Sequence, residues 1–146
     1  MNSAKIIHLG INMHRTNIQI RFRDTDGMGH INNAVFLTYL ELARIEFFKT
    51  LFEVKESHDI SFILARVEID FRIPINLKDE PVVVLWVKTI GNTSWVFGYS
   101  IVDANDNNKI FANATSVQVV FNYKTNQKEN ITPDFRTKLE RYIQVD

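Results

Sequence analysis

One stretch of this chain limits what the rest can do. Across residues 34–51 the apolar positions Phe36, Leu40, Ala43, Phe47 and Leu51 step by four, three, four and four, the spacing of one face of an α-helix. Val35, Leu37, Leu42, Ile45 and Phe48 are apolar as well, so this helix is greasier than one laid on a surface. The pattern predicts that other structure wraps it.

Most of what surrounds that helix reads as strand. Before it, residues 17–24 place Ile18, Ile20 and Phe22 between Gln19, Arg21 and Arg23, a half-buried strand. After it comes the polar segment KESHDI, a loop, and then Ala65, Val67, Ile69, Phe71 and Ile73 alternate with Arg66, Glu68, Asp70 and Arg72. Pro74 and Pro81 bracket a turn around NLKDE. The run VVVLWVKTI predicts a buried strand, GNTS a turn, WVFGYSIVD another strand and ANDNN the turn that closes it. Residues 109–123 give the last strand, and a short helix starts near Pro133 and runs to Tyr142. Successive strands with short turns make an antiparallel meander, and a helix apolar on most sides is satisfied if that sheet curls around it. The fold class is therefore α+β. Such a sheet still has edges, which pairing with a second copy would satisfy.

Composition narrows the function. With 146 residues, 45% of them hydrophobic, the chain suits one domain over 1–146. There are 9 basic and 9 acidic residues in 1–73 and 8 of each in 74–146, summing to 17 of each sign and no net charge. Neither half carries the basic excess of a nucleic-acid binder. With no cysteine, disulfides, thiolate metal sites and a cysteine nucleophile are excluded. No apolar run approaches the roughly 18 residues of a membrane span, and the first residues lack a secretory pattern. The expectation is a soluble cytoplasmic protein that binds neither nucleic acid nor membrane.

No Ser lies in G-x-S-x-G, no H-E-x-x-H occurs, and Gly27 with Gly29 is too short for a phosphate loop. What stands out is the junction before the long helix, Asp24-Thr-Asp26-Gly-Met-Gly29-His30-Ile-Asn32-Asn33. A helix start offers unpaired N–H groups and partial positive charge. If the glycines fold Asp26 back toward it, a carboxylate and several donors face one small volume, which is what acyl transfer requires. The ordinary reading of Asp, Asn and Gly before a helix is capping and turn formation, and Asp24 keeps it. Asp24, Asp26 and His30 have loose spacing for a metal site and no further ligand. His8, His14 and His58 are expected at the surface, and Phe36, Phe47, Phe48 and Trp86 in the core.

The run RFRDTDGMGHINNAVFLTYLELARIEFF resembles the signature of the hot-dog-fold acyl-CoA thioesterases of the 4-hydroxybenzoyl-CoA thioesterase-like group, in which Asp-x-Asp-x-x-Gly-His-Val-Asn-Asn leads into a long helix containing Tyr, Glu and Ala-Arg. Ile31 stands where Val is usual. The stretch ARVEIDFRIPINLKDEPVVV resembles the family's second strand and following turn. The resemblance implies a hot-dog fold, an antiparallel sheet curled around a long central helix, and hydrolysis of acyl-CoA without metal or bound cofactor. It implies that Asp26 is the catalytic carboxylate, as nucleophile or general base. The backbone N–H near Asn33 would polarise the thioester, Gly29 would allow close approach, and His30 would orient or contact substrate. It further implies a homodimer or homotetramer with the site at the subunit interface, where Phe62, Thr93 and Ser94 are candidate substrate contacts. Two rivals are a hot-dog dehydratase or hydratase and a non-catalytic acyl-CoA-binding domain.

Overall fold

Asn32 decides where the long helix begins. Its side-chain oxygen accepts from Ala34 N at 2.9 Å, satisfying one donor that helix geometry leaves over. From that cap, α1 runs Asn33–Leu51. The computed structural model describes residues 12–52 and 61–144, so the KESHDI segment lies outside the described residues. The strands are β1 His14–Asn17, β2 Phe62–Phe71, β3 Pro81–Ile90, β4 Ser94–Asp103, β5 Asp106–Asn122 and β6 Gln127–Lys128, and a second helix, α2, covers Pro133–Glu140. They form one antiparallel sheet in the order β1-β3-β4-β5-β2, with β6 added to the end of β5. This is the hot-dog architecture that the sequence leads one to expect.

The sheet's inner face and α1 share one core. Phe36, Tyr39, Leu40, Ala43 and Phe47 from the helix meet Val83, Leu85, Val87, Trp95, Phe97, Ile101 and Phe111 from the sheet, with Phe135 and Leu139 of α2 closing one end. Alternation along β3 sends Val82, Val84 and Trp86 to the other face, where with Val102 they form a second buried cluster. Trp86 is thus buried as expected, but on the side away from α1. It lies across the backbone of Gly98, its register partner, where a Cβ would come within 2.5 Å of the indole.

Three elements differ from expectation. The first strand ends at Asn17, not Asp24. Ile18 N still donates to Pro81 O at 3.0 Å, but β3 starts there and proline has no N–H to continue the ladder. The chain instead tightens into a 3-10 turn at Phe22–Asp24, which leaves Phe22 82% exposed. The ANDNN turn shrinks to residues 104 and 105, because Asp103 accepts from Asn105 N at 2.8 Å and lets β5 begin at Asp106. Finally, the sheet covers α1 on one side only: Leu37, Leu42 and Ile45 remain 40%, 42% and 44% exposed.

β2 is an edge strand that pairs only with β5 within the chain. A register shift between Leu64 and Arg66 keeps Leu64, Val67, Ile69 and Phe71 opposite the inner-face residues of β5. Leu64 and Phe71 are nonetheless 45% and 47% exposed.

Candidate active site

The junction before α1 is built around two carboxylates in opposite settings. Asp24 is buried; it accepts from Arg21 N at 2.9 Å, Arg21 Nε at 3.1 Å and Tyr39 Oη at 2.9 Å, and its carbonyl accepts from Asn32 N. Burial alone would push its pKa up, but the Arg21 backbone and guanidinium and the Tyr39 hydroxyl outweigh that and hold the carboxyl below its ordinary value. Tyr39 answers in the opposite sense, its phenol pushed well above the usual range by burial and by Asp24. Asp24 therefore has a structural role, as read from the sequence, and its partner Tyr39 is the Tyr of the helix signature, to which the sequence reading gave no role.

Asp26 is exposed at the next bend. Its Oδ1 accepts from Met28 N at 2.8 Å and His30 N at 3.2 Å, while its own N–H donates to His30 O at 2.7 Å. Residues 26–30 thus close into a tight loop around that carboxylate. Gly29 takes φ +79°, a left-handed angle costly for any residue with a Cβ. No atom lies within 4 Å of where that Cβ would be, so within one chain glycine is required by the angle and not by crowding. The loop is pinned by Ile31 N, which donates to Ile75 O at 2.8 Å, and by a bridge between His30 and Asn76. His30 is half-buried, and Asn33 is exposed as the first residue of α1, where helical N–H groups lack an intrahelical acceptor. Asp26, Gly29 and His30 thus share one loop, and Asn33 follows it as the first residue of α1.

Phe62, Thr93 and Ser94 lie elsewhere. The Phe62 ring packs 5.1 Å from Phe48 and 5.6 Å from Trp95, and Phe48 stands 15 positions beyond Asn33, about 22 Å along the helix. Thr93 O accepts from Val120 N, and Ser94 O from Gly91 N at 2.7 Å. Ser94 pairs with Val119 whereas Phe62 pairs with Val120, so the two start on opposite faces of the sheet. Within one chain these residues do not join Asp26.

Of the histidines, only His14 and His30 are among the described residues, and His14 corrects the surface expectation. It is half-buried, edge-on to Phe47 at 5.7 Å and 3.2 Å from Thr50 Oγ1; burial lowers its pKa against the pull of Glu46. Among the described residues no group of three or more His, Cys, Asp or Glu side chains could hold a metal ion, and no helix is long and apolar enough to cross a membrane. Clefts of about 540, 500 and 400 Å³ run beside α2, beside β1, and between α1 and β2. None of these three is lined by Asp26.

Known proteins share this arrangement. A solved structure described as that of a predicted thioesterase from Bacillus stearothermophilus is 33% identical, covers 91% of this chain and 98% of its own, and superposes with a TM-score of 0.79. A thioesterase of Thermus thermophilus, solved with coenzyme A and zinc, is 31% identical over 86% of this chain and 90% of its own, at a TM-score of 0.75. The long-chain acyl-CoA thioesterase FadM of Escherichia coli is 24% identical over 131 residues, 88% of this chain and 98% of that protein. A family model described as the thioesterase-like superfamily matches residues 20–139, from the end of the first apolar alternation through the Asp26 loop and the sheet to α2. The chain belongs to that superfamily.

Proposed function

We propose that this protein hydrolyses acyl-CoA thioesters to free acid and coenzyme A, with Asp26 as the catalytic carboxylate. The observation that carries this is the loop at residues 26–30, which leaves Asp26 exposed beside the start of α1, its backbone set by Gly29 at φ +79°. The relatives named for acyl-CoA thioesterase activity support the substrate class. A thioester carbonyl has little resonance stabilisation, so one carboxylate and a few N–H donors suffice. The N–H groups at Asn33 draw charge onto the thioester oxygen as the carbon becomes tetrahedral. Asp26 either adds to that carbon, expelling the CoA thiolate and leaving an anhydride that water then opens, or takes a proton from the water that attacks. Gly29 keeps the loop's shape, and His30 orients the loop or contacts substrate.

The working unit in this reading is a homodimer or a homotetramer. β2 is a ten-residue edge with exposed apolar groups, and antiparallel pairing of two copies along it would set the Phe71 end of one against the Phe62 end of the other. Phe71 packs on Phe36 at 5.1 Å, one turn into α1 and close to the Asp26 loop. The partner's copy of that loop would then stand near Phe62, with Thr93 and Ser94 further out. Asp26→Asn is the test: hydrolysis should fall by about 10²-fold or more while folding and acyl-CoA binding persist. Undiminished turnover by this variant would rule out the assignment of Asp26. If wild-type protein binds acyl-CoA but cleaves no thioester, it is a binding module.

A further inference from the structure

Besides the Tyr39–Asp24 contact, the buried face of α1 carries a second polar group. Arg44 projects from the buried face of α1 with 6% of its surface exposed and donates from Nη1 to Tyr99 Oη at 3.2 Å. Tyr99 Oη lies 2.5 Å from Ser116 Oγ, and the Gln118 amide donates to the same Ser116 oxygen. Gln118 is fully buried, and its Oε1 has no partner. No carboxylate closes this group, since none of the ion pairs among the described residues includes Arg44. Burial raises the Tyr99 phenol above its ordinary value, so it stays a neutral hydroxyl and does not balance the charge. A guanidinium has five N–H donors, and a side-chain acceptor engages one of them here. Holding such a cation with no ion-pair partner among the described residues is costly.

Arg44 also forms part of the wall of the 400 Å³ cleft between α1 and β2. Ile45, Phe48, Phe62 and Leu64 give that cleft apolar sides, and the exposed Glu41 and Lys49 stand at its mouth. An apolar cleft with a few placed polar groups is the usual form of a small-molecule site, and of the buried polar cluster Arg44 is the member in the wall of this one. Arg44 lies one helical turn before Phe48, whose ring touches Phe62, so the two wall residues are about 6 Å apart along the helix.

We propose that Arg44 sets acyl specificity: it takes an oxygen acceptor, a hydroxyl or keto group, carried on the acyl chain, so that oxygenated acyl thioesters are turned over in preference to plain alkyl ones. This rests on the thioesterase reading above and names its substrate class. An alkyl chain in the cleft would lie against the guanidinium and leave its donors unmet. A hydroxyl or keto oxygen would engage one, and charge-assisted bonds in a water-poor site are strong.

The test is kcat/KM for the full-length protein on straight-chain acyl-CoA thioesters of increasing length, each compared with counterparts bearing a hydroxyl or keto group at successive carbons. Wild type should favour the best oxygenated substrate over its alkyl counterpart by about tenfold or more, the scale at which a site built to hydrogen-bond rejects a ligand lacking the group. Arg44→Met should erase that ratio, which is read within each protein so that a general loss cancels. Equal rates in wild type, a preference for alkyl chains, or a preference that survives in Arg44→Met would overturn the proposal. Removing an unbalanced buried charge should not lower the melting temperature. Should Arg44→Met fail to fold, Arg44→Gln, a shorter and uncharged donor, should lower the ratio, and an unchanged ratio would overturn the proposal. A wild-type protein that cleaves no thioester at all overturns the thioesterase reading and this one with it. Cleavage without oxygen preference overturns this one alone.

Discussion

Asp24 and Asp26 are two positions apart and have separate tasks because one is buried and bonded and the other is not. The depressed pKa of Asp24 makes a prediction about acid stability. Since the folded-state value lies below the unfolded one, its contribution is complete above the unfolded value of about 4 and drains away as pH falls through the folded value. Asp24→Asn should cost about 1–3 kcal/mol at neutral pH, because Arg21 and Tyr39 lose their charged acceptor, and should flatten the acid limb of stability. Urea melts of both proteins from neutral pH downward would reveal it; parallel curves would refute the role. At Gly29, valine must adopt an angle that a branched Cβ resists, so Gly29→Val should lose turnover more than it loses ellipticity. Normal turnover by that variant would mean the donors of α1 are not where the reaction occurs. The position of Asp24 ahead of the long helix made a structural role readable, though its carboxylate holds Arg21 and Tyr39 while Asn32 caps the helix. Tyr39 and Arg44 were visible as the Tyr and the Ala-Arg of the helix signature, but without a role, because only the fold brings the Tyr39 hydroxyl to Asp24 and the Arg44 guanidinium to Tyr99.

Among the elements, those whose neighbours are fixed by their own pattern were legible and those fixed by a distant partner were not. The steps from Phe36 to Leu51 locate α1, and Asn32 and Pro133 mark the helix starts. Alternation through Phe22 could not reveal that the ladder stops where Pro81 begins β3, nor could polar Asp106, Asn107 and Asn108 be told from a turn until their pairing with β4 was known. The β5–β6 turn, closed by Asn126 at φ 59°, was likewise unread. The β3–β4 pair supplies a test at this scale. Gly98 faces the Trp86 ring so closely that Gly98→Ala would force the indole or the strand to move. A loss of about 1–3 kcal/mol in denaturant melts is expected, the usual cost of overpacking. No loss would mean that Trp86 moves aside freely.

On the scale of the whole molecule, one chain leaves work undone. The helix keeps Leu37, Leu42 and Ile45 outward, and β2 ends the sheet with Leu64 and Phe71 open. Light scattering at micromolar concentration should find no dominant monomer, and a stable, fully active monomer would remove the shared site. A sharper version mixes two inactive proteins, Asp26→Asn and Phe62→Arg, after exchange of subunits. If the loop of one copy works against the Phe62 side of the other, some mixed dimers hold one intact site and activity returns in part. Mixtures as dead as their components would place the whole site in a single chain.

The two tryptophans sit on opposite faces of the same sheet, Trp86 in the outer cluster and Trp95 in the inner core against Phe62. Both are buried, and neither indole N–H has a partner. The protein therefore carries two native optical probes on either side of one wall. With Trp86 replaced by Phe, the remaining emission comes from Trp95 alone, packed behind Phe48 and Phe62 of the cleft wall. Filling of that cleft would then register as a shift in its colour without any label attached.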